Sequence, residues 1–433
     1  MIEKSVGLYT LGCKVSQYET EAIAERFESY GYKVRDFSDF NDVYVINTCT
    51  VTAEADRKSR QMIRRAKKQN PDSVVIVCGC YSQRSPDEVA AIPDVDAVIG
   101  SGGKLSVPDI AERLLTDSER TVCVSDIDKE PFEKMAITKG PRTRVYVKIE
   151  DGCECKCTYC AIPSARGPVR SKAREDVIAE VEALASSGVR EVVLTGIETG
   201  SYGKDFEQDY TLADLIAELD ERRSCERIRL GSLAPELVGE SFVSKVASAK
   251  ILAPHFHISM QSGSSSVLRA MKRRYSREML IENLARIKRA IPRATFTTDI
   301  MVGFPGESEE DFLDSVSALR EIGFLDAHIF AYSRRKNTPA DQYPNQVPES
   351  VKRERSERLI AVAREVREQV VEGIFSSGEA LPVIFEEREG GVWRGHSDTF
   401  VTVEVESDED LHGESRTVLP VSRKNDVIVG KII

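Results

Sequence analysis

The sequence predicts an α/β protein in three parts: an N-terminal doubly wound parallel sheet, a central partial (β/α)6 barrel and a small C-terminal antiparallel β-barrel. Three observations predict it. Short apolar runs alternate with helical segments over residues 1–125, strand, loop and helix then repeat about six times up to residue 375, and residues 376–433 switch to period-two alternation.

In the first part the strand runs are "SVGLYTL", "VYVIN" and "SVVIV", and each ends at a cysteine-bearing turn: Cys13, Cys49, and the pair Cys78 and Cys80. The carboxyl ends of parallel strands share one edge, so cysteines far apart in sequence can meet there. Residues 126–142, charged and carrying two prolines, read as a linker. From "RVYVKIE" a second unit, 143–375, continues through strands near "EVVLTG", "RIRLGS", "HFHISM", "FTTDIMVG" and "DAHIFAY". Barrel enzymes place their chemistry on the loops after such strands. The stretch 348–375 is a long amphipathic helix expected to close the barrel's flank. The tail alternates as in "TFVTVEVES" and "NDVIVGKII", with glycines between runs.

A chain of 433 residues is too long for one core and fits two or three domains. It has no run of eighteen apolar residues and no basic-then-apolar leader, so the expected compartment is the cytoplasm, with no membrane contact. The formal charge of −11 argues against whole-surface attraction to a polyanion, so any nucleic-acid contact must use local basic patches. Ten cysteines in such a chain point to metal ligation more than to disulfides.

The stretch "DGCECKCTYC" holds the densest group. Cys153, Cys157 and Cys160 supply three thiolates from one loop, whereas structural zinc wants four closed ligands. Three thiolates on a 4Fe-4S cluster leave one iron free to bind a small molecule. S-adenosylmethionine suits that position, because its amino and carboxylate groups can chelate iron and bring the sulfonium near the cluster. The competing reading is a zinc knuckle. Cys155, inside the gap, is expected to be a bystander; Cys80, on the loop side, is the better ligand than Cys78; Cys123 and Cys225 are ordinary core or surface residues.

With these residues assembled, the whole chain resembles the radical S-adenosylmethionine methylthiotransferases. The stretches that carry the resemblance include "TLGCKVSQYETE", "VINTCTVTAEADRKSRQMIRRA", "GCYSQ", "GCECKCTYCAIPSARG", "FHISMQSGS" and "TTDIMVGFPGE". The wording around Cys13 and Cys49 is most similar to the branch that modifies N6-threonylcarbamoyladenosine at position 37 of tRNA. Related branches act on isopentenyladenosine in tRNA or on an aspartate of a ribosomal protein. A reading of another class is a non-catalytic RNA-binding protein with structural metal.

The resemblance implies that Cys13, Cys49 and Cys80 hold a second, auxiliary 4Fe-4S cluster. S-adenosylmethionine would serve twice, as methyl donor and as radical source, with a flavodoxin or ferredoxin as electron donor and the tail as an RNA-binding barrel of the TRAM kind. Cofactor contacts are expected at Tyr159, at Gly196, Glu198 and Gly200 after the second strand, and at Ser232, Gln261 and Gly303. RNA contacts are expected at Arg57, Arg60 and Arg64 on a probable helix, at Arg166 and Arg170 after the cysteine loop, and at Arg334 and Arg335 after the last strand. Trp393 and Phe400 could stack bases or belong to the tail's core. Four positions depart from the branch's pattern: Glu198 for His, Ala234 for Glu, Ala331 for Pro and Ser16 for Asn.

Overall fold

A computed structural model describes residues 3–117, 119–140 and 143–433. The N-terminal unit runs β1 (Ser5–Thr10), α1 (Lys14–Ser29), β2 (Lys33–Arg35), β3 (Val43–Thr48), α2 (Ala53–Gln69), β4 (Val74–Gly79), α3 (Cys80–Arg84), α4 (Pro86–Ala90), β5 (Ala97–Ile99), α5 (Val107–Thr116) and β6 (Thr121–Cys123). Its six strands are parallel in the order β2-β1-β3-β4-β5-β6. Every residue of β3 and β4 is buried, as a sheet covered by helices on both faces requires. Strand order reverses between β1 and β3, which opens a crevice at their carboxyl ends.

The helix α1 belongs to two cores at once. Ile23 and Phe27 pack into the N-terminal sheet, while Tyr18 and Ala22 join the apolar cluster of the central unit. Tyr18 also donates its hydroxyl to Met135 O at 2.8 Å and Glu180 at 3.0 Å. The expected linker is accordingly pinned: Met135 and Ile137 are buried in the central core, and Ile137 N–H donates to Glu180 at 2.7 Å. Its last two residues, 141 and 142, lie outside the described residues.

The central unit continues with β7 (Arg144–Lys148), β8 (Glu150–Asp151), α6 (Ile162–Arg166), β9 (Arg170–Ser171), α7 (Arg174–Ser186), β10 (Glu191–Thr195), α8 (Leu212–Arg222), β11 (Arg227–Leu230), β12 (Ser232–Leu233), α9 (Glu240–Val246) and β13 (His255–Gln261). It closes with α10 (Ser265–Ala270), α11 (Arg277–Ala290), β14 (Thr295–Val302), α12 (Glu309–Ile322), β15 (Asp326–Ala331) and α13 (Glu349–Ser376). Parallel strands run β11-β10-β7 and β12-β13-β14-β15, and β11 leads through Gly231 into β12. The result is the expected open barrel, with β7 and β15 at its free edges and α1 packed along β7.

The tail forms β16 (Leu381–Glu389), β17 (Val392–Ser397), β18 (Thr402–Glu406), β19 (Ser415–Lys424) and β20 (Val427–Ile432), a closed barrel in the order β16-β17-β18-β20-β19. One pairing, β18 with β20, is parallel; the others are antiparallel. The turn before β18 seals the amino-terminal floor of the open barrel. Thr295 Oγ1 donates to Thr399 O at 2.6 Å, Arg229 donates to Asp398 O at 3.2 Å, and the Phe400 ring stacks on His255 at 4.6 Å. Among the described residues no helix is long and apolar enough to cross a membrane.

Candidate functional site

The loop after β8 starts at Gly152, with φ +90°, where a Cβ would lie 1.8 Å from Pro168 O, so only glycine lets this loop fold back onto residues 167 and 168. Cys153 N–H then donates to Gly167 O at 3.0 Å and fixes the turn. Three sulfurs of this loop accept hydrogen bonds. Cys153 Sγ accepts from Cys155 N at 3.4 Å, Cys157 Sγ from Arg273 Nη1 at 3.3 Å, and Cys160 Sγ from Ile162 N at 3.4 Å. Donors aimed at sulfur favour the thiolate over the thiol, the state a metal cluster binds. Cys155 Sγ donates to the Glu198 carboxylate at 2.9 Å, and its hydrogen bond to Cys157, with burial, pushes the Cys157 thiol up in spite of Arg273. Burial pushes the Cys160 thiol up to about 11, so ligand binding there must displace a proton.

The second trio sits on the crevice of the N-terminal sheet. Cys13 follows β1 and caps α1, Cys49 follows β3, and Cys80 opens α3 directly after β4. Cys49 feels the charge of both Cys80 and Cys13, and burial first, then Cys80, pushes its thiol up to about 12. Cys49 Sγ accepts from Val51 N at 3.5 Å, Cys13 Sγ meets Ser16 Oγ at 3.8 Å, and Cys80 Sγ accepts from Arg166 Nε at 3.2 Å. Cys78 points the other way, wholly buried in the apolar core of the sheet.

Around Cys80 lies a sealed ionic network. Glu19 on α1 pairs with Lys104 at 2.5 Å, Lys148 at 2.9 Å and Arg166 at 2.5 Å, and Asp151 pairs with Lys148 at 2.6 Å and Arg166 at 3.2 Å. Burial alone would raise the Glu19 pKa, but Arg166, Lys104 and Lys148 hold it well below the usual carboxylate range. Arg170 lies 3.8 Å from Asp151, and the Glu133 and Glu150 carboxyls are within electrostatic reach of Lys148, so the network carries no clear excess of either sign. The guanidinium aimed at Cys80 Sγ suits an anionic thiolate-ligated group there.

The two trios face each other across the seam between the units. Arg166, six residues after Cys160, reaches Cys80; Arg84, at the end of α3, lies within electrostatic reach of Cys160 and donates to Lys336 O. Arg335 completes the join by pairing with Asp56 at 2.9 Å and donating to Thr50 at 2.7 Å.

These contacts correct part of the expected RNA surface. Arg166 is completely buried, Arg170 donates to Glu130 O and Arg166 O, and Arg335 is 7% exposed, so each is used inside the protein and none presents a free guanidinium to a phosphate. Arg57 is exposed but paired with Glu54, Arg60 donates to the Tyr81 hydroxyl at 2.9 Å, Arg64 is exposed on α2, and exposed Arg334 pairs with Asp341 at 3.0 Å. Trp393 is core of the tail barrel, its indole N–H donating to Glu409 O at 2.8 Å.

Among the expected cofactor residues, Gln261 holds φ +59°, costly for a residue with a side chain, and ends β13 at the mouth of the barrel. Tyr159 packs edge-on to Phe304 at 6.4 Å, and Ser232 begins β12. At Gly196 and Gly200 the space of a side chain is taken by Glu150 and Leu237, so the need for glycine there is one of packing, whereas Gly303 holds φ +72° as well as lying against Lys352. Arg273, Glu19, Lys104 and Lys148 escaped the reading of the sequence; no spacing marks them, because each meets the cysteines only through the fold.

Comparison with known proteins agrees with this geometry. Residues 5–100 match the model described as "Uncharacterized protein family UPF0004" and residues 147–319 that of the "Radical SAM superfamily". The chain is 41% identical over 420 residues, 95% of its length and 92% of the other's, to threonylcarbamoyladenosine tRNA methylthiotransferase MtaB of Bacillus subtilis (strain 168). It is 32% identical to tRNA-2-methylthio-N(6)-dimethylallyladenosine synthase of Clostridium perfringens (strain SM101 / Type A), covering 100% of this chain and 98% of that one. In fold it is similar to the radical S-adenosylmethionine methyltransferase TsrM of Kitasatospora setae, with a TM-score of 0.57 at 15% identity over 78% of this chain and 77% of that one. On the strength of matches that span nearly its full length, the chain belongs to the radical S-adenosylmethionine tRNA methylthiotransferase family.

Proposed function

We propose that this protein adds a methylthio group to C2 of N6-threonylcarbamoyladenosine at position 37 of tRNA. The observation that carries the reading is the pair of cysteine trios facing each other, each sulfur with a polar neighbour, in a chain whose similarity to a threonylcarbamoyladenosine enzyme exceeds that to a dimethylallyladenosine enzyme.

Cys153, Cys157 and Cys160 would hold one 4Fe-4S cluster, and Cys13, Cys49 and Cys80 the second. With S-adenosylmethionine these groups supply one-electron chemistry and a methyl donor, which an unactivated aromatic C–H requires because no side-chain base can remove its proton. The chain's own residues do the rest. Arg273 and Arg166 place charge-assisted donors on one sulfur of each trio and so favour the bound thiolates. Gln261, Glu198, Ser232 and Tyr159 border the cofactor space at the strand ends. Glu198 is fixed by Ser201 Oγ at 2.6 Å and Cys155 Sγ at 2.9 Å.

The exposed positive face of α2 around Arg57 and Arg64, together with Arg334 and the closed C-terminal barrel, would hold the anticodon stem-loop. A cytoplasmic flavodoxin or ferredoxin would deliver electrons. Nucleoside mass spectrometry of tRNA from a deletion strain tests the assignment. Methylthio-threonylcarbamoyladenosine should vanish and its precursor accumulate; loss of the methylthio group from isopentenyladenosine instead would move the activity to that substrate.

A further inference from the structure

The three sulfurs of the dispersed trio are not equally partnered. Cys49 Sγ accepts from a backbone N–H at 3.5 Å and Cys13 Sγ meets a hydroxyl at 3.8 Å, whereas Cys80 Sγ accepts from Nε of Arg166 at 3.2 Å. Among the described residues Arg166 is the only charged donor on this trio. A hydrogen bond from a charged donor is roughly twice as strong as one between neutral groups.

The guanidinium is clamped in that direction. Nη1 donates to Glu19 Oε1 at 2.5 Å and to Asp151 Oδ2 at 3.2 Å, and Nη2 donates to Glu19 Oε2 at 3.2 Å, so Glu19 grips the planar fork through both its oxygens and Nε is left for sulfur. The backbone is held as well. Arg166 ends α6, the chain turns at Gly167, where φ is +69° and a Cβ would lie 2.8 Å from Ile127 O, and Arg170 donates to Arg166 O at 2.6 Å. Arg273, on the local trio, is held more loosely. Its Nη1 donates to Cys157 Sγ at 3.3 Å, but its Nε has no hydrogen-bond partner and its side chain is only partly buried. Arg166 is completely buried, where a charge acts with little screening by water.

The reduction potential of an iron-sulfur cluster depends on its net charge, its exposure and the hydrogen bonds to its sulfurs. A cationic donor on a ligand sulfur stabilises the more negative, reduced state. We propose that Arg166 is a positioning residue of the auxiliary site, whose hydrogen bond to Cys80 raises the reduction potential of the cluster held by Cys13, Cys49 and Cys80. This rests on the function proposed above, which gives that trio its cluster. Glu19 and Asp151 offset the guanidinium's charge at long range, but the N–H on the sulfur acts at contact and is not offset. The donor comes from the barrel unit and its clamp Glu19 from α1, so this setting depends on the join between the two units.

The test is a redox titration, followed by electron paramagnetic resonance, of anaerobically reconstituted full-length Cys157→Ala, in which the auxiliary cluster is the one expected to remain. One electron enters the cluster and no bond is made or broken. Adding Arg166→Met should lower the potential so that, at the midpoint of the parent protein, the ratio of reduced to oxidised cluster falls about tenfold, a shift of about 59 mV for one electron. Arg166→Lys keeps a cation for Glu19 and Asp151 but not the planar fork that also serves Cys80, so its shift should have the same sign and a smaller size. Unchanged potentials in both variants overturn the proposal and leave Arg166 a residue of the seam alone. A second measurement needs no change at Arg166. With arginine carrying the heavy nitrogen isotope, pulsed spectra of the reduced cluster in Cys157→Ala should show hyperfine coupling to an arginine nitrogen; its absence overturns the hydrogen bond whatever the variants do. If Cys157→Ala holds no cluster at all, the assignment of two clusters fails, and the functional reading and the role of Arg166 fail with it.

Discussion

The two cysteine trios differ in how they are built. The trio of Cys153, Cys157 and Cys160 lies on one loop, and two of its three sulfurs take their hydrogen bonds from that loop's own backbone. The trio of Cys13, Cys49 and Cys80 is assembled from three strand ends, and Cys80 takes its donor from Arg166, which belongs to the other unit. The local trio needs its loop and, for Cys157, Arg273 of the same unit; the dispersed trio needs the N-terminal sheet and the docked barrel. The first site should therefore survive damage to the seam that the second cannot.

Removing single ligands probes that difference most strongly. Cys157→Ala should cost about half of the roughly eight irons expected for two 4Fe-4S clusters, and abolish reductive cleavage of S-adenosylmethionine. Cys80→Ala should cost a similar share of iron and abolish methylthiolation, yet leave cleavage of S-adenosylmethionine in place. Iron analysis and quantification of 5′-deoxyadenosine on anaerobic protein check both. Loss of cleavage in Cys80→Ala would show that the two sites do not assemble separately.

Next in size is the seam. Arg166 is a fully buried cation shared by Glu19, Asp151 and Cys80, so Arg166→Met takes one partner from two buried carboxylates that keep Lys104 and Lys148. With those cations in place the cost should be about 1–3 kcal/mol, below that of a buried charge left with no partner. Arg64→Ala, on an exposed face, should stay within about 0.5 kcal/mol. Denaturant unfolding of the two variants compares them, and equal midpoints would remove the network from the account. The same network gives a smaller effect with pH. Glu19 has a folded pKa below its unfolded one, so its stabilisation is present above the ordinary carboxylate pKa and is lost as pH falls through the lower folded value. Acid should therefore lower the melting temperature of the unaltered protein more steeply, below about pH 4, than that of Arg166→Met.

The same contrast decides what could be read from the chain. The local trio was legible because spacing within one loop is itself geometry. The dispersed trio was legible only as far as strands could be recognised, since parallel strands bring their carboxyl ends to one edge. Preferring Cys80 to Cys78 rested on its place past the strand end: Cys78 lies inside β4 in the sheet's core, whereas Cys80 opens α3 after the turn at Gly79, whose φ is +98°. Arg166, Arg170 and Arg335 were misjudged for the converse reason. A positive charge near a cysteine loop looks like a phosphate contact until the partner surface is known, and here that surface is the N-terminal unit itself. Arg273 carried no signal, because it reaches Cys157 from another element.

The smallest effect is the sharpest test of the local trio. Cys155 sits inside the ligand spacing and is 5% exposed, so proximity alone would make it a fourth ligand; Cys153, Cys155 and Glu198 even bring their ligating atoms within 4.8 Å of one another. Its hydrogen bond to Glu198 favours the expected bystander role. Its thiol donates to Glu198, the residue that stands where the resembled branch usually has His, and a donating thiol keeps the proton that a ligand must give up. Cys155→Ala leaves Glu198 still bound by Ser201 Oγ at 2.6 Å, so no buried carboxylate is orphaned. The cost should be about 1 kcal/mol or less, with iron content and cleavage of S-adenosylmethionine unchanged. Iron loss matching that of Cys157→Ala would instead mean a loop that closes all four corners of its cluster, which leaves no iron for a cofactor to occupy.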